Sequence, residues 1–316
     1  RLASKGLEEL KSDLPYRQIM HMQRFCPHLD RVSVGDVGGL CPQGTMGTES
    51  QMLTIHLSKV LEDLEEIAMV GLCVPRIICN DARFESRHAA LLGQLATRGL
   101  EELELRRCTL AVEIIEAVDA AAQQGQLRTL EVDSDPSLLG ERAGAAVGRL
   151  VCKGLQDFLA HDCGLTDESM EALEVAAAQG QLRKLDVSSS KSPRDESSNG
   201  RLGKRAAAAV GRLVGKGLQD FCANGCGLTD EFMEALGVAA AQGQLRKLDV
   251  GRNTGLGERA GAAVGCLVSK GLQDFHAHNC GLTGEFMEAL EAAAAQGQLR
   301  RLDVSANRGL GESAGA

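Results

Sequence analysis

The chain has no tryptophan, one tyrosine and seven phenylalanines among its 316 residues. A compact core leans on aromatic side chains that bury ~150–250 Å² each, so an ordinary globular centre is excluded and the apolar surface must be spread thinly. No stretch approaches the ~18 consecutive apolar residues of a membrane span. The opening Arg1-Leu2-Ala3-Ser4-Lys5-Gly6 lacks the apolar segment of a secretory signal. The eleven cysteines contain no C-x-x-C pair. An odd count without a secretory signal predicts reduced thiols in an intracellular, reducing compartment, the cytoplasm or an organelle interior. Basic excess is absent too: the net charge is −9, which argues against nucleic acid as the main partner.

Glycine and alanine are abundant, and they fall in a repeat. Leu155-Gln-Asp-Phe returns at Leu218 and at Leu272, and Leu182-Arg-Lys-Leu-Asp-Val returns at Leu245 and, as Leu-Arg-Arg-Leu-Asp-Val, at Leu299. Unit starts fall at Leu7, Leu29, Leu64, Leu100, Leu127, Leu155, Leu182, Leu218, Leu245, Leu272 and Leu299. From Leu100 the steps are 27, 28, 27, 36, 27, 27 and 27 residues, whereas the first three are an irregular 22, 35 and 36. Residues 1–99 therefore read as irregular N-terminal repeats with long loops, and residues 100–316 as a regular array in one continuous solenoid.

Each unit is Leu-x-x-Leu-x-Leu, a turn and an amphipathic helix. The apolar alternation suits a strand with positions one, four and six in the core. Helix punctuation follows. Thr229 is the expected N-cap, with Asp230 and Glu231 in the positive first turn. A left-handed Gly243 is expected to close that helix, as Gly125, Gly180 and Gly297 do in sister units. A unit of this size buries its apolar face only against its neighbours.

Strand motif, period and helix together resemble the leucine-rich repeat of the ribonuclease-inhibitor type, which alternates units with Cys and with Asn at the ninth position. Cys108, Cys163, Cys226 and Cys280 hold that place in one kind, and Asn253 and Asn307 in the other, while Asp135 and Ser190 depart from it. The resemblance is strong over 100–316 and weaker over 1–99. It implies an α/β leucine-rich-repeat solenoid, a curved horseshoe with a parallel β-sheet on the concave face and α-helices on the convex one. Both ends fall inside the repeat, which reads as a fragment of a longer repeat protein or one capped by partners.

Several catalytic patterns match only as variants of the repeat. Gly311-Glu-Ser-Ala-Gly315 fits a nucleophile elbow, but its sisters carry Arg142 and Arg259 where it has Ser313. Gly255-Leu-Gly257-Glu-Arg-Ala260 fits a dinucleotide fingerprint, yet it recurs as an ordinary strand-to-helix loop. Gly39 and Gly44 have P-loop spacing with Thr45 where lysine is needed. His276, His278 and Cys280 alternate along one strand, which turns the histidines out and the cysteine in, so no metal site is expected. No nucleophile or acid–base pair stands outside the repeat. The chain reads as a non-enzyme without a cofactor.

The residues left to carry function are the concave ones, at positions two, three, five, seven and eight. In Cys-type units these are Gln156, Asp157, Leu159, His161 and Asp162; Gln219, Asp220, Cys222, Asn224 and Gly225; and Gln273, Asp274, His276, His278 and Asn279. Asn-type units supply Arg183, Lys184 and Asp186; Arg246, Lys247, Asp249 and Arg252; and Arg300, Arg301 and Asp303. With neighbouring strands ~4.8 Å apart, Asp157 can reach Lys184, and Asp220 can reach Lys184 or Lys247. Nearer the N-terminus, Glu65, Glu66, Glu101, Glu102, Glu104 and Glu131 are expected to cluster over three strands. Arg106, Arg107 and Arg128 are their expected counter-charges, and a basic protein is the expected partner. The extra residues of the 36-residue unit make a rim loop with Lys191, Ser192, Arg194, Asp195 and Glu196, where Ser192 before Pro193 is a phosphorylation candidate. A second Gly-rich loop, 35–50, is expected to project from the same rim. The leading function is a protein-interaction module or scaffold using the concave face and rim loops. The alternatives are a structural subunit of a large assembly, the sensing region of an immune-type receptor, and an enzyme inhibitor.

Overall fold

The computed structural model describes residues 9–12, 31–34, 54–58 and 75–310, the last segment apart from 82, 85, 109–110, 123–125, 134–138, 190–201, 241–242, 244 and 295–298. The chain divides into two compact units, Arg1–Leu127 and Arg128–Ala316.

In unit 1, β1 (Glu9–Ser12) pairs in parallel with β2 (Arg31–Val34), and β3 (Thr54–Ser58), β4 (Arg76–Asn80) and β5 (Glu102–Arg106) form a parallel set in chain order. Helix α1 (Ser86–Ala96) follows β4, and α2 (Ala111–Ala121) follows β5. These strands start at residues 9, 31, 54, 76 and 102, steps of 22, 23, 22 and 26. The units expected from Leu7 and Leu29 thus have their strands, but the one expected from Leu64 does not precede β5. That place belongs to β4, whose inward residues are Ile77 and Cys79 rather than leucines, both fully buried. A search keyed on Leu misses such a unit.

Unit 2 is a parallel sheet of seven strands in chain order. Its elements are β6 (Thr129–Asp133), α3 (Glu141–Cys152), β7 (Asp157–His161), α4 (Asp167–Ala176), β8 (Lys184–Asp186) and α5 (Lys204–Gly215). They continue with β9 (Asp220–Cys222), α6 (Asp230–Ala239), β10 (Lys247–Asp249), α7 (Glu258–Ser269), β11 (Asp274–His276), α8 (Gly284–Ala293) and β12 (Arg301–Asp303). Positions one, four and six are buried as the pattern requires: Leu218, Phe221 and Ala223 all have zero exposure. Phenylalanine at position four recurs in alternate units, and its ring stacks on one from the following helix. Phe221 meets Phe232, and Phe275 meets Phe286, each with centroids 6.3 Å apart. Where α4 has Ser169 at the matching place, the buried hydroxyl joins Thr166 in a capping box instead.

Small residues set the helix spacing. A Cβ on Gly144 or Gly148 of α3 would overlap the Ser169 or Leu173 carbonyl oxygen of α4, so the two helices touch backbone to backbone. Gly180 and Gly243 do not have the expected left-handed conformation. Their helices end earlier, with C-caps at Ala177 and Ala240. A Cβ on either glycine would overlap the Val151 or Val214 backbone, so close approach is what demands glycine there. Left-handed closures lie after α3, α5 and α7, at Gly154, Gly217 and Gly271, with φ of 113°, 117° and 113°, while Gly125 and Gly297 lie outside the described residues. There Leu155 N–H reaches back to Leu150 O at 3.1 Å, one of the bonds that end a helix in this way.

Helix entry also differs from expectation. Thr229 is the N-cap of α6, but its side chain makes no capping bond; its backbone bridges to Gly255. The anionic cap comes from the neighbouring unit. Asp167 Oδ1 accepts from Gly203 N at 2.7 Å and Ala206 N at 3.3 Å, and Asp230 Oδ1 accepts from Gly257 N at 2.6 Å and Ala260 N at 3.1 Å. Each Asp thus closes the positive end of the next helix. Nearby, Glu174 is buried between Arg212 Nε at 2.8 Å and Lys216 Nζ at 2.7 Å. Burial pushes its carboxyl up, but the hydrogen bonds from Lys216 and Arg212 win and hold it below its ordinary range.

The ninth-position ladder is complete where it is described. Asn253 Nδ2 donates to Ala223 O at 2.9 Å and Val250 O at 2.7 Å, while Oδ1 accepts from Leu228 N at 2.9 Å. Asn307 repeats this with Ala277 O, Val304 O, and the N–H groups of Cys280 and Leu282. Cys108, Cys163, Cys226 and Cys280 donate Sγ to a carbonyl of the preceding unit at 3.1–3.4 Å.

Two stability measurements follow. Asn253→Ala removes the side-chain bonds to Leu228 N, Ala223 O and Val250 O, of which Val250 O keeps the Cys280 thiol, and is expected to cost at least ~2 kcal/mol in urea unfolding. Gly180→Ala should cost ~1–3 kcal/mol through overlap, whereas Gly215→Ala, in open space at the end of α5, should add ~0.4–1 kcal/mol.

Candidate protein-binding face

Because positions four and six go under the helices, positions three and five of each strand are left on the open side of the sheet. In unit 2 this face orders its charges in rows. At position three, Asp157 stands opposite Lys184, Lys184 opposite Asp220, Asp220 opposite Lys247, Lys247 opposite Asp274, and Asp274 opposite Arg301. The row alternates in sign and sums to zero. Only Asp274 and Arg301 close to 3.6 Å; the lysines face their partners without closing to an ion pair.

Position two behaves differently. Arg128, Arg183, Arg246 and Arg300 are exposed and alternate with half-buried Gln156, Gln219 and Gln273. Backbone bonds such as Arg246 N–H to Gln219 O at 2.8 Å and Gln273 N–H to Arg246 O at 2.8 Å set the order. At position five the sequence across the strands is Glu131, Leu159, Asp186, Cys222, Asp249, His276 and Asp303. Four carboxylates thus alternate with Leu159, Cys222 and His276. Asp186, Asp249 and Asp303 each accept a backbone N–H two residues on, at 3.0, 3.3 and 3.0 Å. These bonds from Ser305 hold Asp303 below its ordinary range, with His278 and His276 adding to the effect. His161 Nδ1 lies 3.9 Å from Asp186. Cys222, nearly buried between Asp186 and Asp249, has its thiol pushed up to about 12, by burial first and then by the two carboxylates. Sequence reasoning set Asp157 beside Lys184, and Asp220 beside Lys184 and Lys247, but did not single out the rows at positions two and five.

Beyond the strand ends lies a groove of about 430 Å³ lined by Asp133, His161, Asp162, Ser188, Ser189, Asn224, Arg252 and His278. Asn224 Oδ1 is buried there without a hydrogen bond. Arg252 is exposed on a left-handed backbone, φ 59°. His278 covers Gly251, where a Cβ would overlap its imidazole. His276 and His278 are half-buried on the open side while Cys280 is buried, its thiol pushed up to about 11 by burial.

The acidic cluster expected in unit 1 is not assembled as foreseen. Glu65 and Glu66 lie outside the described residues, and the neighbour of β5 is β4, which sets Arg76 opposite Glu102 and Ile78 opposite Glu104. Arg76 Nε is 3.1 Å from Glu102 Oε2, and its NH2 is 2.5 Å from Glu104 Oε1. Glu104 is buried, with Arg106 NH2 2.8 Å from its other oxygen. Arg107 turns away to Asp81 at 2.8 Å. Glu101 stays half-buried at the strand start. The rim loop residues Lys191, Ser192, Arg194, Asp195 and Glu196, the loop 35–50, and Ser313 all lie outside the described residues. The dinucleotide-like loop has its helix end filled by the Asp230 carboxylate, which occupies the place a phosphate would need. Among the described residues no disulfide forms, and no helix is long and apolar enough to cross a membrane.

Ladders of Cys and Asn, parallel strands in chain order and helices between the strands give the chain a leucine-rich-repeat fold, and these features resemble the ribonuclease-inhibitor type. No family model matches the chain. Over 196 residues it is 32% identical to the ribonuclease inhibitor of Sus scrofa, which covers 57% of this chain and 38% of the inhibitor. The chain therefore spans little more than a third of that relative's length. A crystal structure of the yeast Rad7–Elc1 complex aligns over 81% of this chain and 75% of that one, with 18% identity and a TM-score of 0.35.

Asp157 gives this face a pH signature. Burial and then Asp220 raise its carboxyl, and Lys184 and Arg183 do not fully compensate. A folded pKa above the unfolded value gives stability that is present below about pH 3.9 and lost as pH rises through the folded pKa. Asp157→Asn is therefore expected to raise Tm at pH 7, with the gain vanishing below about pH 4 in thermal melts.

Proposed function

We infer that this chain is a non-enzymatic recognition module whose open face in unit 2 holds a protein partner. The observation that carries this is the pair of single-sign rows, arginines at position two and carboxylates at position five. Like charges placed ~9.6 Å apart along a row raise the energy of the free protein and are relieved by a partner of complementary charge. The position-five carboxylates offer places for cationic side chains, and the position-two arginines for anionic ones. The orphan Asn224 Oδ1 in the adjoining groove offers an acceptor to a donor from the same partner. Similarity to ribonuclease inhibitor supports a protein target, while the identity of that target is left to experiment. A wide preformed face suits recognition better than small-molecule chemistry.

The test is affinity purification from the source cells with the chain as bait. The expected result is a stoichiometric protein companion that is lost with Asp186→Asn/Asp249→Asn and kept with Val175→Ser/Val238→Ser on the exposed helix side. Loss with the helix-side pair alone would reject this reading.

A further inference from the structure

The two rows differ in sign, and their spacing describes a partner. Both come from Asn-type units, so each repeats every second strand, ~9.6 Å at ~4.8 Å per strand. Position two immediately precedes the strand and lies three residues from position five, at most ~10 Å at ~3.3 Å each. Between the rows runs the self-neutralising position-three row. On the intervening strands, Leu159 and Cys222 give the carboxylate row an uncharged floor.

An α-helix is ~10–12 Å across and returns to the same flank every seven residues, ~10.5 Å. It matches both dimensions at once. An extended strand presents one face every ~6.6–6.9 Å and drifts out of step with the rows. A polyanion answers only the arginines. We propose that the open face of unit 2 takes an amphipathic helix laid across the strands, with acidic side chains on the flank over the arginine row and basic ones on the flank over the carboxylate row. This rests on the reading that the face holds a protein and specifies the kind of segment it holds. The long arginine side chains absorb the ~1 Å per-turn-pair mismatch, and the nonpolar or neutral underside of the helix rests on the neutral strip.

The probe is a synthetic Ala-based helix of about 24 residues, ~36 Å long, with Glu at heptad spacing on one flank and Lys on the other. It is titrated against the full chain by fluorescence anisotropy, beside an all-Lys helix, an all-Glu helix and a single-stranded oligonucleotide. The two-flank helix is expected to bind about tenfold tighter than either uniform helix. Arg183→Gln/Arg246→Gln and Asp186→Asn/Asp249→Asn should each weaken it about fivefold. Both pairs should fold, as circular dichroism will check. Gln is the residue already present at position two of the alternate units, and Asn keeps the oxygen that accepts the turn N–H. Arg183→Glu/Arg246→Glu should lose the two-flank helix and gain the all-Lys one.

Equal binding of the all-Lys helix with no effect of the arginine substitutions would overturn the proposal, leaving a simple acidic surface. Oligonucleotide binding that depends on the arginines alone would overturn it in favour of a polyanion. No binding of any probe would overturn it as well. If the natural companion is still lost on Asp186→Asn/Asp249→Asn, the broader reading of the face survives that failure.

Discussion

Beyond every strand the chain turns inside the protein, and the turn leaves backbone N–H and C=O groups away from water. Leaving such groups unpaired costs on the order of 1–3 kcal/mol each, and beyond β5, β7 and β9 to β12 the ninth side chain of the unit prevents it. Asn253 and Asn307 do so with both ends of the amide, and the alternate cysteines do so with a thiol. The bonds run to the preceding unit as well as within the turn. A unit is therefore completed only by its neighbour, and the stack persists as a stack.

The same dependence on a neighbour appears at the helices. Asp167 and Asp230 cap the following helix rather than their own, and Glu174 ties Arg212 and Lys216 of the following helix to its own. Glycines let those helices meet at backbone distance. Four of the few aromatic rings form two stacked pairs between strand and helix, Phe221 with Phe232 and Phe275 with Phe286. Scarcity of aromatics and abundance of glycine are two sides of one packing solution.

Alternation of two unit types has a functional consequence as well. If every unit carried the same charges, each row would be uniformly charged at ~4.8 Å and strongly self-repelling. Interleaving Gln with Arg, and Leu, Cys or His with Asp, doubles that distance and still leaves each row with one sign. Position three takes the other route and alternates sign. The charged residues of positions two, three and five are thereby ordered into a cationic row, a charge-balanced row and an anionic row.

Much of this was legible in the chain itself. Period, strand phase, the Cys and Asn ladder and the outward direction of His276 and His278 follow from local sequence, because a repeat states the same physical solution many times. The departures came where a contact joins residues far apart. Nothing local says that Val74-Pro-Arg-Ile-Ile-Cys79 is a unit, since Ile and Cys fill a leucine site equally well once buried. Nor does local sequence say that Arg76 neutralises Glu102 and Glu104, that Gly180 and Gly243 answer to a backbone from another helix, or that Asp230 caps the next helix. Those are decided by register and close approach, which exist only in the assembled stack. The sequence determined the unit; the tertiary structure decided which charges cancel and which stand in rows of one sign.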